Sequence, residues 1–249
     1  MKPVIIIPAY QPDQELSELI QKLSVHPYPI IIVNDGSGKR FLPIFSELEK
    51  HKQVTVLHHQ KNRGKGQALK TGFQYFLDHY PISCTGVITA DADGQHIAED
   101  IIQVATFFTH HPHALCLGCR MFQKNAPWRS RFGNMLTRKI FRWLVNSTLQ
   151  DTQTGLRAIP RDILPLLIKI KSRAYDFELD MLLQIHQQNI LIREIPIQAI
   201  YKNGNSHSHF NPILDSLKIY FVLVRFQINK FKSKFPMGWL PLGVNRFHE

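Results

Sequence analysis

Asp91 and Asp93 stand one residue apart in the run Thr89-Ala90-Asp91-Ala92-Asp93-Gly94-Gln95-His96. Just before them, Gly86-Val87-Ile88 is a short apolar run with the character of a buried strand. On an extended chain, two residues with one spacer point the same way, so both carboxylates can converge on one cation. Hard oxygen ligands of this kind suit Mg²⁺ or Mn²⁺, which keep positions for water and substrate phosphates. The competing reading is a solvated Asp-Gly turn that ends a strand. Ligands of open α/β sheets bind at the carboxyl ends of the strands. Other strands should therefore also end in groups able to hold such a ligand.

They do. Ile30-Ile31-Ile32-Val33 runs into Asn34-Asp35-Gly36-Ser37-Gly38, where Asp35 can accept hydrogen bonds from a base N–H or a ribose, or satisfy its own turn backbone. Val54-Thr55-Val56-Leu57 is followed by Asn62-Arg63-Gly64-Lys65-Gly66. Lys65, flanked by glycines ahead of a helix, has open access to a phosphate or ribose, or is an ordinary exposed lysine at a helix start. Further on, Gly118-Cys119-Arg120 ends a strand and a polar loop leads to Trp128-Arg129-Ser130-Arg131. Arg120, Arg129 and Arg131 with Ser130 make a good phosphate receptor, because guanidinium forks match phosphate oxygens. The alternative is a solvated basic helix start. Trp128 beside them suits an apolar–polar boundary such as a membrane interface.

The elements that must position these groups alternate. Val4-Ile5-Ile6-Ile7 reads as a first strand stopped by Pro8, with Pro8-Ala9-Tyr10 as its loop. Leu16, Leu19, Ile20 and Leu23 form one face of the next helix. A helix through about Tyr80 follows Gly66, and strand then alternates with helix as far as Gly118. This alternation predicts parallel βαβ units with their polar loops gathered along one edge. Asp151-Thr152-Gln153-Thr154-Gly155-Leu156-Arg157-Ala158 leads into another strand. Asp176-Phe177-Glu178 opens a helix carrying Leu179, Leu182, Leu183 and His186, and Ile192 to Ile197 is a last strand. Two familiar phosphate motifs are excluded. Gly36-Ser37-Gly38-Lys39-Arg40 lacks the glycine spacing and the hydroxyl after lysine of a P-loop, and Leu69 stands where the third glycine of a dinucleotide fingerprint belongs.

The chain of 249 residues is long enough for one α/β domain with an appended segment. Its 30 basic and 19 acidic residues give a net charge of +11, which fits an anionic partner. Cys84, Cys116 and Cys119 are too few and too irregular for a disulfide framework. Cys116 and Cys119, three apart in a strand-like run, face opposite sides and read as core thiols of a reducing compartment. The first apolar run is too short for a signal peptide, and no window reaches the roughly 18 apolar residues of a spanning helix. The segment from Ile213 to Lys232 is largely apolar, with Lys218, Arg225, Asn229 and Lys232 on one helical face. Such a helix lies in a membrane interface or packs its apolar face on the catalytic domain, and Lys230, Lys232 and Lys234 favour the interface.

Pro8-Ala9-Tyr10, Asn34-Asp35-Gly36-Ser37, Asn62-Arg63-Gly64-Lys65-Gly66 and Asp91-Ala92-Asp93-Gly94-Gln95-His96, in this order and at loop ends, resemble the family 2 glycosyltransferases. The resemblance implies the GT-A nucleotide-diphospho-sugar transferase fold, an α/β Rossmann-like, mostly parallel central sheet with helices on both faces. It also implies that Pro8, Ala9, Tyr10, Asp35, Lys65 and Asp91 bind the nucleotide sugar. Asp91, Asp93 and Gln95 would hold a divalent cation, Mg²⁺ or Mn²⁺, on the diphosphate. Roughly residues 3 to 217 resemble the dolichyl-phosphate mannosyltransferase and bactoprenol glucosyltransferase branch. There an arginine-rich loop receives the acceptor phosphate, which here means Arg120, Arg129, Ser130 and Arg131, and Asp151 to Arg157 shape the cleft. Two departures stand out: Gln11-Pro12 replaces the usual Asn-Glu, and the arginine after the last strand gives way to Lys202 or the run Ser206 to His209.

The expected activity is inverting, metal-dependent transfer of a hexose from a UDP- or GDP-sugar to a polyprenyl phosphate. Asp93, Arg120, Arg131 and Glu178 are the expected catalytic group, with Glu178 orienting a sugar hydroxyl. A glycan or a diacylglycerol is the alternative acceptor within the same family. Outside the enzymes, the rival is a basic protein that binds nucleic acid or membrane, but it gives no reason for Asp35, Asp91 and Asp93 at strand ends. The expected organisation is a GT-A domain over 1–211, a basic amphipathic helix over 212–234 and an irregular tail over 235–249. Donor, lipid acceptor and membrane surface are the expected partners, with a small membrane protein or a second copy as further candidates. The expected location is peripheral, on the inner face of the cytoplasmic membrane.

Overall fold

The computed structural model describes residues 2–120, 141–142, 149–174 and 176–198. Its centre is β1 (Val4–Ala9), whose isoleucines are wholly buried. Full burial on both sides explains why this strand reads as a continuous apolar run rather than an alternating one. Around it lie α1 (Gln14–Leu23), β2 (Ile30–Asn34), α2 (Leu42–Leu48), β3 (Val54–His58), α3 (Lys65–His79), β4 (Gly86–Thr89) and α4 (Ala98–His110). β5 (Leu115–Arg120), β6 (Arg157–Pro160), α5 (Leu164–Ile168), α6 (Asp176–Gln187) and β7 (Ile192–Ile197) complete the described chain. One seven-stranded sheet has the order β3-β2-β1-β4-β6-β5-β7.

The sheet carries a core on each face. Val4, Ile6, Ile31 and Val33 pack with Phe73 and Phe76 of α3, Leu164 of α5 and Leu182 of α6. Ile5, Ile7, Ile30 and Ile32 pack with Leu16 and Ile20 of α1, Phe45 of α2 and Val104 and Phe108 of α4. Alternation along the strands divides the side chains between the layers. Each large apolar side chain buried this way stabilises the fold by about 1.5–3 kcal/mol.

One feature corrects the reading of the sequence. Pro8 lies within β1, opposite Val33 of β2, and does not stop the strand. In this parallel ladder Ile5 donates toward β2 (N to Pro29 O, 2.9 Å), whereas the Ile6 carbonyl accepts from Ala90 on the other side (3.1 Å). Pro8 shares the side of Ile6, where β4 pairs no further than Thr89. The missing N–H therefore falls where no ladder partner remains, the position a sheet allows proline.

The sheet is mostly parallel, as expected, with one exception: β6 runs antiparallel to both β4 and β5, while the other strands are parallel. The reversal has a consequence for the site. A strand running backwards begins at the edge where its neighbours end, so the segment before β6 is delivered beside Asp91. Register fixes this, with Thr89 opposite Arg157, and the Thr89 hydroxyl donates to the Gly155 carbonyl at 2.8 Å. The C-terminal helix and tail expected over 212–249 lie outside the described residues.

Candidate active site

β1, β2, β3 and β4 all point their carboxyl ends to one edge, and the expected donor-site residues meet there. Asp35 follows β2 and is buried, its amide donating to the Ala9 carbonyl at 2.8 Å. Its carboxylate accepts from the Arg63 amide (2.9 Å), the Gly64 amide (2.8 Å) and His59 Nδ1 (2.6 Å). His59 Nε2 in turn meets the Thr71 hydroxyl at 2.9 Å. Three of a carboxylate's roughly four lone-pair sites are thus filled from within the chain. Asp35, expected as a nucleoside contact, acts visibly as the clamp that fixes the loop in front of Lys65. The β1 loop is clamped likewise. Gln11, with φ of +49°, donates its amide to the Ser37 hydroxyl at 2.8 Å, and its side chain reaches the Tyr10 hydroxyl at 3.2 Å.

Gly64 explains how Lys65 is aimed. Its φ of +95° suits glycine, and a Cβ there would lie 2.5 Å from the Arg173 carbonyl oxygen. From this turn α3 begins at Lys65, whose ammonium lies 2.6 Å from Asp91 Oδ1 and 2.8 Å from Glu178 Oε1. Burial works against a charged lysine, but the two carboxylates outweigh it and hold the ammonium well above its ordinary pKa. Asp91 is the mirror case. Burial opposes its charge, yet Lys65 and the nearby His96 hold its carboxyl far below the usual range. Asp93 shifts upward, through burial first and the Asp91 charge second. Gln95 binds both of its oxygens, through the amide (3.2 Å) and the side chain (2.8 Å). The two neighbouring carboxylates are thus shifted in opposite directions.

Three further residues shape this region, two of them in the run Asp151 to Arg157 that was expected to shape the cleft. A Cβ on Gly155 would lie 2.3 Å from Asp91 Oδ2, so only a bare backbone can pass there. His96 is buried, neither ring nitrogen has a hydrogen-bond partner among the described residues, and its Nε2 stands 3.5 Å from Asp91 Oδ2. Asp151 is the third. It is fully buried and receives Arg120 through a fork, Nε at 2.6 Å and Nη2 at 3.0 Å. Burial raises its pKa, but the guanidinium prevails and holds the carboxyl low. Arg120, expected as an acceptor-phosphate group, therefore spends part of its fork on the loop that precedes β6.

Arg157 ties that loop to Glu178. It is 1% exposed, and it donates to the carbonyls of Thr154 (2.8 Å), Thr152 (3.3 Å) and Glu178 (2.6 Å). One buried guanidinium thus sets the backbone beside both carboxylates that hold Lys65. The only sequence signal for this lay in the run Asp151 to Arg157. Arg129, Ser130 and Arg131 lie outside the described residues.

Among the described residues, no three carboxylate, imidazole or thiol groups gather as a self-sufficient metal cage. Asp91, Asp93 and the Gln95 amide offer instead a sparse set of hard oxygens. That fits Mg²⁺ or Mn²⁺, which complete their shell with water and phosphate oxygens. Cys116 and Cys119 are buried free thiols, raised by burial to about 11 and about 12, and remain core residues.

Comparison with known proteins bears on the same residues. The sequence matches Glycosyl transferase family 2 over residues 4–165, a span that contains Asp35, Lys65, Asp91, Asp93 and Arg120. An uncharacterised protein of Methanocaldococcus jannaschii is 30% identical over 230 residues, covering 90% of this chain and 91% of its own. The UDP-N-acetylglucosamine–dolichyl-phosphate N-acetylglucosaminyltransferase of Methanococcus voltae is 28% identical over 245 residues, 91% of this chain and 96% of that one. In fold, the chain resembles glucosyl-3-phosphoglycerate synthase from Mycobacterium tuberculosis, solved with Mn²⁺, UDP-glucose and phosphoglyceric acid. That likeness has a TM-score of 0.62 at 15% identity, over 90% of this chain and 79% of that one. The fold is thus of the GT-A kind, and the chain is a glycosyltransferase belonging to family 2.

Proposed function

We propose that this glycosyltransferase moves a hexose from a UDP- or GDP-sugar to a polyprenyl phosphate, with inversion at the anomeric carbon. The observation that carries the donor half is the cluster of Lys65, Asp91 and Asp93 at the strand ends, where one ammonium and two electrostatically separated carboxylates meet. The acceptor half is supported by the Methanococcus voltae relative, whose name specifies dolichyl phosphate and whose length this chain nearly spans.

In this reading the acceptor's phosphate oxygen bonds to the anomeric carbon while the bond to the nucleoside diphosphate breaks. The electron pair leaves with the diphosphate. A bound divalent ion, held by Asp91, Asp93 and Gln95, would supply charge stabilisation to that leaving group. Lys65 adds an ammonium on the same side, preorganised by Asp35 and Gly64. Pro8, Ala9, Tyr10 and Asp35 line the nucleoside side. Arg120, Arg129, Ser130 and Arg131 position the acceptor phosphate and screen it from the donor's phosphates. Phosphate is an anion at neutral pH, so no strong general base is required. Glu178, anchored through Lys65, orients a sugar hydroxyl. Among the described residues no helix is long and apolar enough to cross a membrane. The segment 212–234, expected from its sequence to form a basic helix, is assigned to the lipid surface, on the inner face of the cytoplasmic membrane.

The test is to incubate the protein with Mn²⁺ or Mg²⁺, undecaprenyl phosphate and a panel of UDP- and GDP-sugars, and to read the lipid by mass spectrometry. A glycosyl phospholipid from one donor supports the proposal and names the sugar. Metal-dependent nucleotide binding without any lipid product would move the acceptor to a glycan or a diacylglycerol.

A further inference from the structure

The Asp91 oxygen best placed to take a cation already has one. Lys65 Nζ lies 2.6 Å from Oδ1 of Asp91 and 2.8 Å from Glu178, so in the protein alone the ammonium already pairs with this carboxylate. A divalent ion arriving alone would compete with that ammonium for the same carboxylate and, among the described residues, would find Asp93 and Gln95 besides. The Gly155 backbone packs close against both Asp91 oxygens, and His96 Nε2 stands 3.5 Å from Oδ2. A nucleoside diphosphate changes this balance. Its phosphates offer new acceptors to an ammonium that has three donors, and they supply the oxygens that the ion lacks. Lys65 can turn to the phosphates while Glu178 still holds it, which frees Asp91.

We propose that Lys65 is a placeholder cation, occupying Asp91 in the ligand-free protein and yielding it only when a nucleoside diphosphate arrives with the metal. The proposal rests on the donor reading above, and it adds that metal and diphosphate are coupled through this one side chain. A lysine that merely braced the fold would tie the same residues together but would not set the metal affinity of the empty site.

The experiment measures Mn²⁺ binding to the full chain by electron paramagnetic resonance, alone and with UDP or GDP, in the wild type, Lys65→Met and Lys65→Met/Glu178→Gln. In the wild type the diphosphate tightens Mn²⁺ by about tenfold or more. Both variants bind Mn²⁺ alone about tenfold more tightly than the wild type, and the enhancement by diphosphate shrinks. The double variant leaves one fewer buried charge unpaired, which guards against a folding failure of the single one. Wild-type protein that binds Mn²⁺ equally well with and without diphosphate overturns the proposal without any variant. Variants no tighter than wild type for Mn²⁺ alone overturn the role of Lys65 and leave the donor reading standing. Wild type that binds no Mn²⁺ with either diphosphate overturns both.

Discussion

The two aspartates of the Asp-x-Asp pair are not equivalent. Asp91 is held ionised by Lys65, whereas burial and its neighbour push Asp93 upward. Asp93 is therefore the residue whose removal should cost chemistry and little stability. Asp93→Asn is expected to lower turnover by about a hundredfold or more and to leave the melting temperature within a few degrees. A matched collapse of both would assign Asp93 to the fold instead. Arg131 is proposed for the acceptor side, so Arg131→Ala should cut turnover while leaving nucleotide affinity near its original value in a calorimetric titration. Loss of both together would place it with the donor. At this scale the sequence told which residues meet but not how each is spent. Asp35 and Arg120 stood out in the sequence, yet their partners Gly64, His59 and Asp151 depend on contacts between loops far apart in the chain.

Among the elements, β6 and the segment before it do most to build the site. A parallel βαβ alternation is written in the apolar runs, but the direction of a single strand is not, because an apolar tetrapeptide reads the same either way. Pro8 misled for a related reason: its tolerance depends on where β4 stops pairing, which is a property of a neighbour. The loop delivered by β6 makes two predictions. A Cβ on Gly155 would sit 2.3 Å from Asp91 Oδ2, so Gly155→Ala should displace that carboxylate. Turnover should fall by about tenfold or more while urea unfolding changes by only about 1 kcal/mol. The reverse pattern would make Gly155 purely structural.

Asp151→Asn breaks the fork with Arg120 and should cost about 3 kcal/mol near neutral pH, since the guanidinium is left without its counter-charge. The native pKa of Asp151 lies below its unfolded value of about 3.9. Its contribution is therefore complete above that value and fades as the pH falls through the lower native pKa. The difference between wild type and Asp151→Asn should close on acidification below about pH 4, as read by denaturant unfolding. A gap that stayed constant with pH would mean that charge is not what Asp151 contributes.

For the whole molecule, the proposal is that the excess of basic residues and the helix expected from the sequence over 212–234 hold the protein on an anionic lipid surface. Replacing Lys230, Lys232 and Lys234 by alanine in the full chain should weaken partitioning onto phosphatidylglycerol vesicles by about tenfold or more, at about 1 kcal/mol for each charge near the surface. Nucleotide binding should be unchanged, and salt should weaken the wild type toward the variant. Equal partitioning of the two proteins would remove this helix from the membrane account.

The measurement closest to the central claim compares two acceptors that differ only in the phosphate. With its best nucleotide sugar and Mn²⁺, the protein is offered a polyprenyl phosphate and the corresponding free polyprenol, and glycosylated lipid is counted in each. The account predicts product from the phosphate alone, because the phosphate is both the nucleophile and the group the arginines receive. Equal glycosylation of the free alcohol would contradict it.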